Sequence, residues 1–193
     1  MKRALLKTGF LITSIVFLVF SNICILKGQD LNTALSYTRS EAYDKAAEVY
    51  KQLIEKEPSN AKYYFYFGEN WLLDYFSDTI SNSLQVYTRE AKALFEKGVS
   101  VNPGEPLNYV GLAKVAFYNR DYKTADEMRA KARSFLLPYK NIKKINPPAK
   151  DYAFTLAKLA ESYITEKFTV DTSKALPLIR EALRIDYKNK DIY

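Results

Sequence analysis

A pattern of spaced small and bulky residues recurs four times along this chain, and it restricts the fold more than any other feature. A small residue is followed by an alanine, then by a bulky residue four positions further on. The first copy is Ala34, Ala46 and Tyr50, closed by Pro58; the second is Gly68, Ala91, Phe95 and Pro103. The third keeps Ala113 and Ala125, and the fourth, looser, has Ala157, Ala175, Ile179 and Ala182. Each copy alone has too little apolar surface to fold, so copies must stack and bury their faces on one another, as in a helical solenoid. Ala46, Val49, Tyr50, Leu53 and Ile54 lie at i, i+3, i+4, i+7 and i+8, one face of a helix. Pro58 ends that helix, since it has no N–H and clashes with the preceding turn. Only 6 Gly and 7 Pro in 193 residues suit helices with short connections, so the class is all-α.

The net charge of +7 does not point to nucleic acid. Lys2, Arg3, Lys7 and Lys27 stand in an acid-free leader, and without them the net charge falls to +3. The other bases mostly alternate with acids along helix faces, as in Glu48-Lys51-Glu55-Lys56, a solvated surface rather than a phosphate-tracking patch. The chain has no His, and its single Cys is Cys24. Imidazole bases, Cys–His dyads and Cys/His zinc sites are thereby excluded within these residues. The stretches around Gly98 and Gly104 lack the spacing of a phosphate loop. No cofactor, metal or catalytic residue is expected.

Residues 1–28 have the layout of an export signal: a basic start, then the uncharged run Phe10 to Phe20. That run suits a signal core of about 7–15 residues and is short for a bilayer span of about 20. Cleavage after Gly28 is favoured over cleavage after Ser21, which sits right against the apolar run; an uncleaved anchor from Gly9 to Leu26 and lipid attachment at Cys24 are the alternatives. All three deliver the remaining chain outside the cytoplasm, to the periplasm or outer-membrane periphery of a Gram-negative-type bacterium. Contact with a membrane is expected only through this segment.

Tyr64, Phe67, Gly68 and Trp71, with Ala91, Phe95 and Pro103, resemble the tetratricopeptide repeat family, as do the corresponding positions of the other copies. The resemblance covers residues from Leu31 to the C-terminus. It implies a right-handed superhelix of antiparallel helix pairs over 29–193, with repeats at about 29–60, 61–105, 106–149 and 150–189. Asp191-Ile192-Tyr193 look like the start of a fifth, so the chain is expected to be the N-terminal piece of a longer protein. Gly68 to Ala91 is eleven residues longer than Ala34 to Ala46, and the excess is expected as a loop around Asp74 to Val86. Ala157 to Ala175 is six longer. Asp171-Thr172-Ser173 look like an N-cap that places Pro177 in the first turn of the last helix. Arg129 stands where the family has an aromatic. The helix that carries it is expected to run on through Phe135-Leu136-Leu137 to Pro138. The connector Tyr139 to Lys150, with Lys140, Lys143, Lys144 and Lys150, is expected as a solvated linker.

The family binds ligands in a concave groove lined by first helices, which implies a protein or peptide partner. Carried onto this sequence, the groove positions are Phe65, Glu69 and Leu72; Val110, Lys114, Phe117 and Tyr118; and Phe154, Lys158 and Glu161. The asparagines of the family's carboxylate clamp are missing, so Lys114 and Lys158 are expected as ordinary solvated residues. Five consecutive aromatics, Tyr63 to Phe67, cannot all face inward on one helix. Tyr64, Phe67 and Trp71 form the inward stripe, leaving Phe65 and Tyr63 or Tyr66 partly exposed, either as a partner site or as packing for the inserted loop. The expected function is a non-catalytic interaction scaffold of the cell envelope. The alternatives are a glycan-binding accessory using Tyr63, Phe65 and Tyr66, or the repeat module of a longer envelope assembly protein.

Overall fold

The computed structural model describes residues 30–136, 149–165, 169–170, 172–186 and 188. Among them, eight helices follow one another: α1 (Leu31–Arg39), α2 (Tyr43–Lys56), α3 (Ala61–Ser77), α4 (Leu84–Val101), α5 (Pro106–Tyr118), α6 (Tyr122–Ser134), α7 (Ala149–Glu161) and α8 (Thr172–Ile185). Each helix packs chiefly on its neighbours in sequence, which makes an all-α helical-repeat solenoid. The leader, most of the lysine-rich connector, Asp171 and Asp191 to Tyr193 lie outside the described residues.

Local chemistry sets the helix ends. Asn60, Glu105 and Asp121 cap α3, α5 and α6, each accepting a backbone N–H in the first turn. The α1–α2 and α5–α6 turns are alike: Glu41 and Arg120 adopt φ of 59° and 63°, and Ala42 and Asp121 each donate N–H to a carbonyl five residues back. That closes the first helix of each pair in the left-handed manner usually given to glycine. Tyr64 and Tyr109 donate their hydroxyls to the carbonyls of Pro58 and Pro103, tying the closing proline to the helix after it.

The core is a row of linked clusters rather than one centre. Ala34, Ala46, Tyr50 and Phe67 anchor the first; Phe65, Ala91, Phe95 and Leu107 the second; Val110, Ala132, Leu156 and Ala182 the third. Phe95 is fully buried between two glycines: a Cβ on Gly68 or on Gly111 would stand 2.4 Å from its ring. Such burial contributes about 2–3 kcal/mol. Asn108 is buried too, its amide donating to the Ala61 carbonyl at 3.0 Å.

Three sequence expectations are corrected. The excess residues of the second repeat mostly lengthen its helices, to 17 and 18 residues against 13 for α5 and for α6. Asp74 to Ser77 stay helical because this turn and the one before it carry aromatics that bury rings: Trp71 and Tyr75 meet Tyr87 of α4, and Phe76 meets Tyr118 of α5. The loop shrinks to Asp78–Ser83, where Asp78 accepts from the N–H groups of Ile80 and Ser81. Second, α6 stops at Ser134, where the chain turns back so that the N–H groups of Phe135 and Leu136 donate to the Ala132 and Arg133 carbonyls. Third, α8 starts at Thr172, so Pro177 lies in its second turn. The longer interval of the last repeat holds a short antiparallel ladder, β1 (Ile164–Thr165) with β2 (Thr169–Val170).

Arg129 fills the slot that Tyr50 and Phe95 take in α2 and α4. Its guanidinium is buried against the Tyr163 ring, 4.4 Å from the centroid, and donates to Ser162 Oγ and to the Ser162 carbonyl. A planar, delocalised cation can stack where a ring would, provided its N–H groups find acceptors.

Candidate functional site

The residue that follows the small residue of each first helix is Leu35, Glu69, Lys114 and Lys158. Stacked helices bring equivalent positions together, so these four form a ladder along the inner side of the solenoid. Opposite charges on adjacent rungs then close on each other. Lys114 of α5 donates to both carboxylate oxygens of Glu69 of α3, at 3.0 and 2.8 Å, and to Glu161 of α7 at 2.5 Å. Lys158 donates to Glu161 at 2.7 Å and lies 3.5 Å from Glu69. Two cations and two carboxylates thus form a balanced quartet that joins three helices.

Burial and charge act oppositely on these groups. For Lys114, desolvation favours the neutral amine, but Glu161 and Glu69 outweigh it and push its pKa above the ordinary lysine value. For Glu161, desolvation favours the protonated acid, but Lys114 and Lys158 outweigh it and lower its pKa to about 2. Both groups therefore stay charged throughout the neutral range. The expectation that the two lysines are ordinary solvated residues is corrected: Lys114 is only 5% exposed, and both are ion-paired.

Beside the quartet opens a cavity of about 670 Å³. α1 contributes Leu35, Thr38 and Arg39; α3 contributes Phe65, Tyr66, Glu69 and Leu73; α7 contributes Asp151, Phe154 and Lys158. Tyr50 of α2, with Asp186 and Lys188 after α8, complete it. Although two repeats apart, α3 and α7 meet across it, with Lys62 bonded to Asp151 at 2.7 Å and Tyr66 packed on Phe154. On the α1 side, Thr38 donates to Asn70 at 2.8 Å, and Asn70 donates to the Tyr43 carbonyl. That buried amide holds the first repeat against α3.

The ten groove positions fall into three groups. Phe65, Glu69, Phe154 and Lys158 line the cavity, and Lys114 and Glu161 complete the quartet under it. Leu72 and Val110 are core residues, in the second and third clusters. Phe117 and Tyr118 pack elsewhere: Phe117 against Tyr122 and the Arg129 guanidinium, Tyr118 edge-on to Phe76. Phe65, expected to be partly exposed, is fully buried against Phe95 and Tyr66, so it offers no stacking face to a sugar. Leu35, Thr38 and Leu73 were not anticipated. Leu35 and Thr38 occupy in repeat one the positions of Glu69 and Leu72 in repeat two, and extending the carry-over to repeat one finds them.

The fold is similar to that of TTC0263, described as a thermophilic TPR protein in Thermus thermophilus, with a TM-score of 0.58 and 18% sequence identity. The match covers 82% of this chain and 73% of that one. At such identity it shows the fold alone: a TPR-like helical-repeat solenoid. No protein-family model and no curated protein matches the sequence.

Proposed function

We propose that this protein is a protein-interaction scaffold of the bacterial cell envelope that takes a segment of a partner protein into its concave groove. The observation that carries the reading is the cavity of about 670 Å³ on the inner helices, with aromatic walls and an ionic rim. Its size is within the range of about 300–1,000 Å³ typical of binding pockets. Tyr66 and Phe154 supply anchors, and Leu73 stands exposed at the edge. The quartet holds the groove wall in place, so a partner meets a surface that is already shaped, which lowers the ordering cost of binding. The leader's basic start and short apolar run support a place outside the cytoplasm.

A photo-crosslinking residue placed at Leu73 in the full chain, with Glu55 of α2 as the outer-face control, tests this reading in the native envelope. The expected result is a discrete protein adduct at Leu73, absent at Glu55 and reduced at least about tenfold by Tyr66→Glu, as for loss of a central aromatic anchor. Equal adducts at both positions, or none at Leu73, would overturn it. A phosphatase active only outside the cytoplasm, fused after Asp30, is expected to be active; an inactive fusion would refute the export reading.

A further inference from the structure

The charged side chains that line the groove cavity, among the described residues, are all engaged within the protein. Glu69 accepts from Lys114 at 2.8 Å and has Lys158 at 3.5 Å, and Lys158 donates to Glu161 at 2.7 Å. At the rim, Asp151 accepts from Lys62 at 2.7 Å, and Asp186 accepts the Lys188 backbone N–H at 3.3 Å. Neither Arg39 nor Lys188 is without a partner. The hydroxyls on the α1 side are spent likewise: Thr38 donates to Asn70 at 2.8 Å and lies 3.2 Å from the Tyr50 hydroxyl.

What these walls leave open to an occupant is apolar. Leu73 is 42% exposed, and Leu35 across the cavity is half-buried. Between them lie the half-buried rings of Tyr66 and Phe154, 6.1 Å apart and tilted by 41°. A carboxylate that reached Lys158 would also stand beside Glu69 and Glu161, and an ammonium that reached Glu69 would stand beside Lys114 and Lys158. Either charge would give up its water and meet repulsion along with attraction. A ring or a branched aliphatic side chain loses nothing of that kind, and its burial is favourable.

We propose that the groove selects its partner segment for lack of charge: it takes aromatic and branched aliphatic side chains, with no acid or base among those it buries. The inference rests on the groove reading above and narrows it. A ring of the partner lies against Tyr66 and Phe154, and its aliphatic neighbour lies against Leu35 and Leu73. The balanced quartet under the rings is the selecting device, because it offers no net charge for a partner to neutralise.

A random peptide library displayed on phage tests the proposal. It is panned on the full chain and counter-panned on Tyr66→Glu and on Leu73→Glu, the second an exposed change. Peptides that bind the parent at least about tenfold better than both variants are expected to share two or more of Phe, Tyr, Trp, Leu and Ile close together. Replacing one of these by Glu, or by Lys, is expected to weaken binding by about tenfold or more in each case. Lys158→Met leaves two carboxylates against one ammonium in the quartet. In that variant, with unaltered helical circular dichroism, the Lys-bearing peptide is expected to gain about tenfold over the Glu-bearing one. Groove-dependent peptides that lose tenfold or more when an acid or a base is changed to Ala would overturn the inference and leave the groove reading standing. An unchanged preference between the Lys- and Glu-bearing peptides in Lys158→Met would do the same. No peptide that tells the parent from the two groove variants would overturn both.

Discussion

Replacing Lys114 by methionine removes the charge at the centre of the quartet while keeping an unbranched apolar stem of similar reach. In the variant, Glu69 keeps a buried carboxylate with Lys158 at 3.5 Å. Glu161 keeps Lys158 at 2.7 Å and is half exposed, so it can turn to water. Deleting one member of a buried ion pair costs about 3–5 kcal/mol because the other is left uncompensated. With Lys158 still near both acids, the low end applies, about 3 kcal/mol. The cost belongs to the stranded charge rather than to lost attraction. Lys114→Met with Glu69→Met is therefore expected to recover to within about 1 kcal/mol of the parent, as apolar replacements of buried pairs commonly do. Urea unfolding followed by circular dichroism and by the fluorescence of Trp71, the single tryptophan, measures both variants. Coincident transitions are needed, since repeat arrays can unfold in parts. A single variant that loses less than about 1 kcal/mol, or a double variant no better than the single, would refute the reasoning.

Further outcomes are expected from the same structure. Glu161 has a lowered pKa, so its contribution is fully present above the ordinary carboxyl value of about 4.3 and is lost as pH falls through about 2. The stability difference between the parent and Glu161→Gln should thus be flat from neutral pH to about 5 and close below that; a difference that closes near neutrality would contradict it. Gly68→Ala puts a methyl 2.4 Å from the Phe95 ring and is expected to lower stability by about 1–3 kcal/mol, most of it regained with Phe95→Leu, as read by thermal melts. Arg120→Gly relieves a left-handed backbone and is expected to raise stability by about 0.5–1 kcal/mol in urea melts, less than the full strain because glycine also loosens the unfolded chain.

The recurring spacing alone determined the helical pairs and which turn of each first helix faces inward, because that depends only on the 3.6-residue period and on small residues at contact points. It also put Glu69, Lys114 and Lys158 on equivalent rungs. It did not reveal that the rungs would join: that depends on how closely α3, α5 and α7 approach, set by Phe95 between Gly68 and Gly111 and by Tyr66 on Phe154. Residue types could not tell Phe65 under the groove from Leu73 at its edge, since both are apolar and one helix carries both. Nor could they foresee a turn of helix in place of a loop at Asp74 to Ser77, which exists because Tyr87 and Tyr118, distant in sequence, cover its rings. The repeat and its inner face follow from the order of residue types along the chain. Which inner residues are core, which pair with each other and which line an open cavity follows from the packing of the helices, because burial and ion pairing are properties of the distance between helices, and no single helix sets that distance.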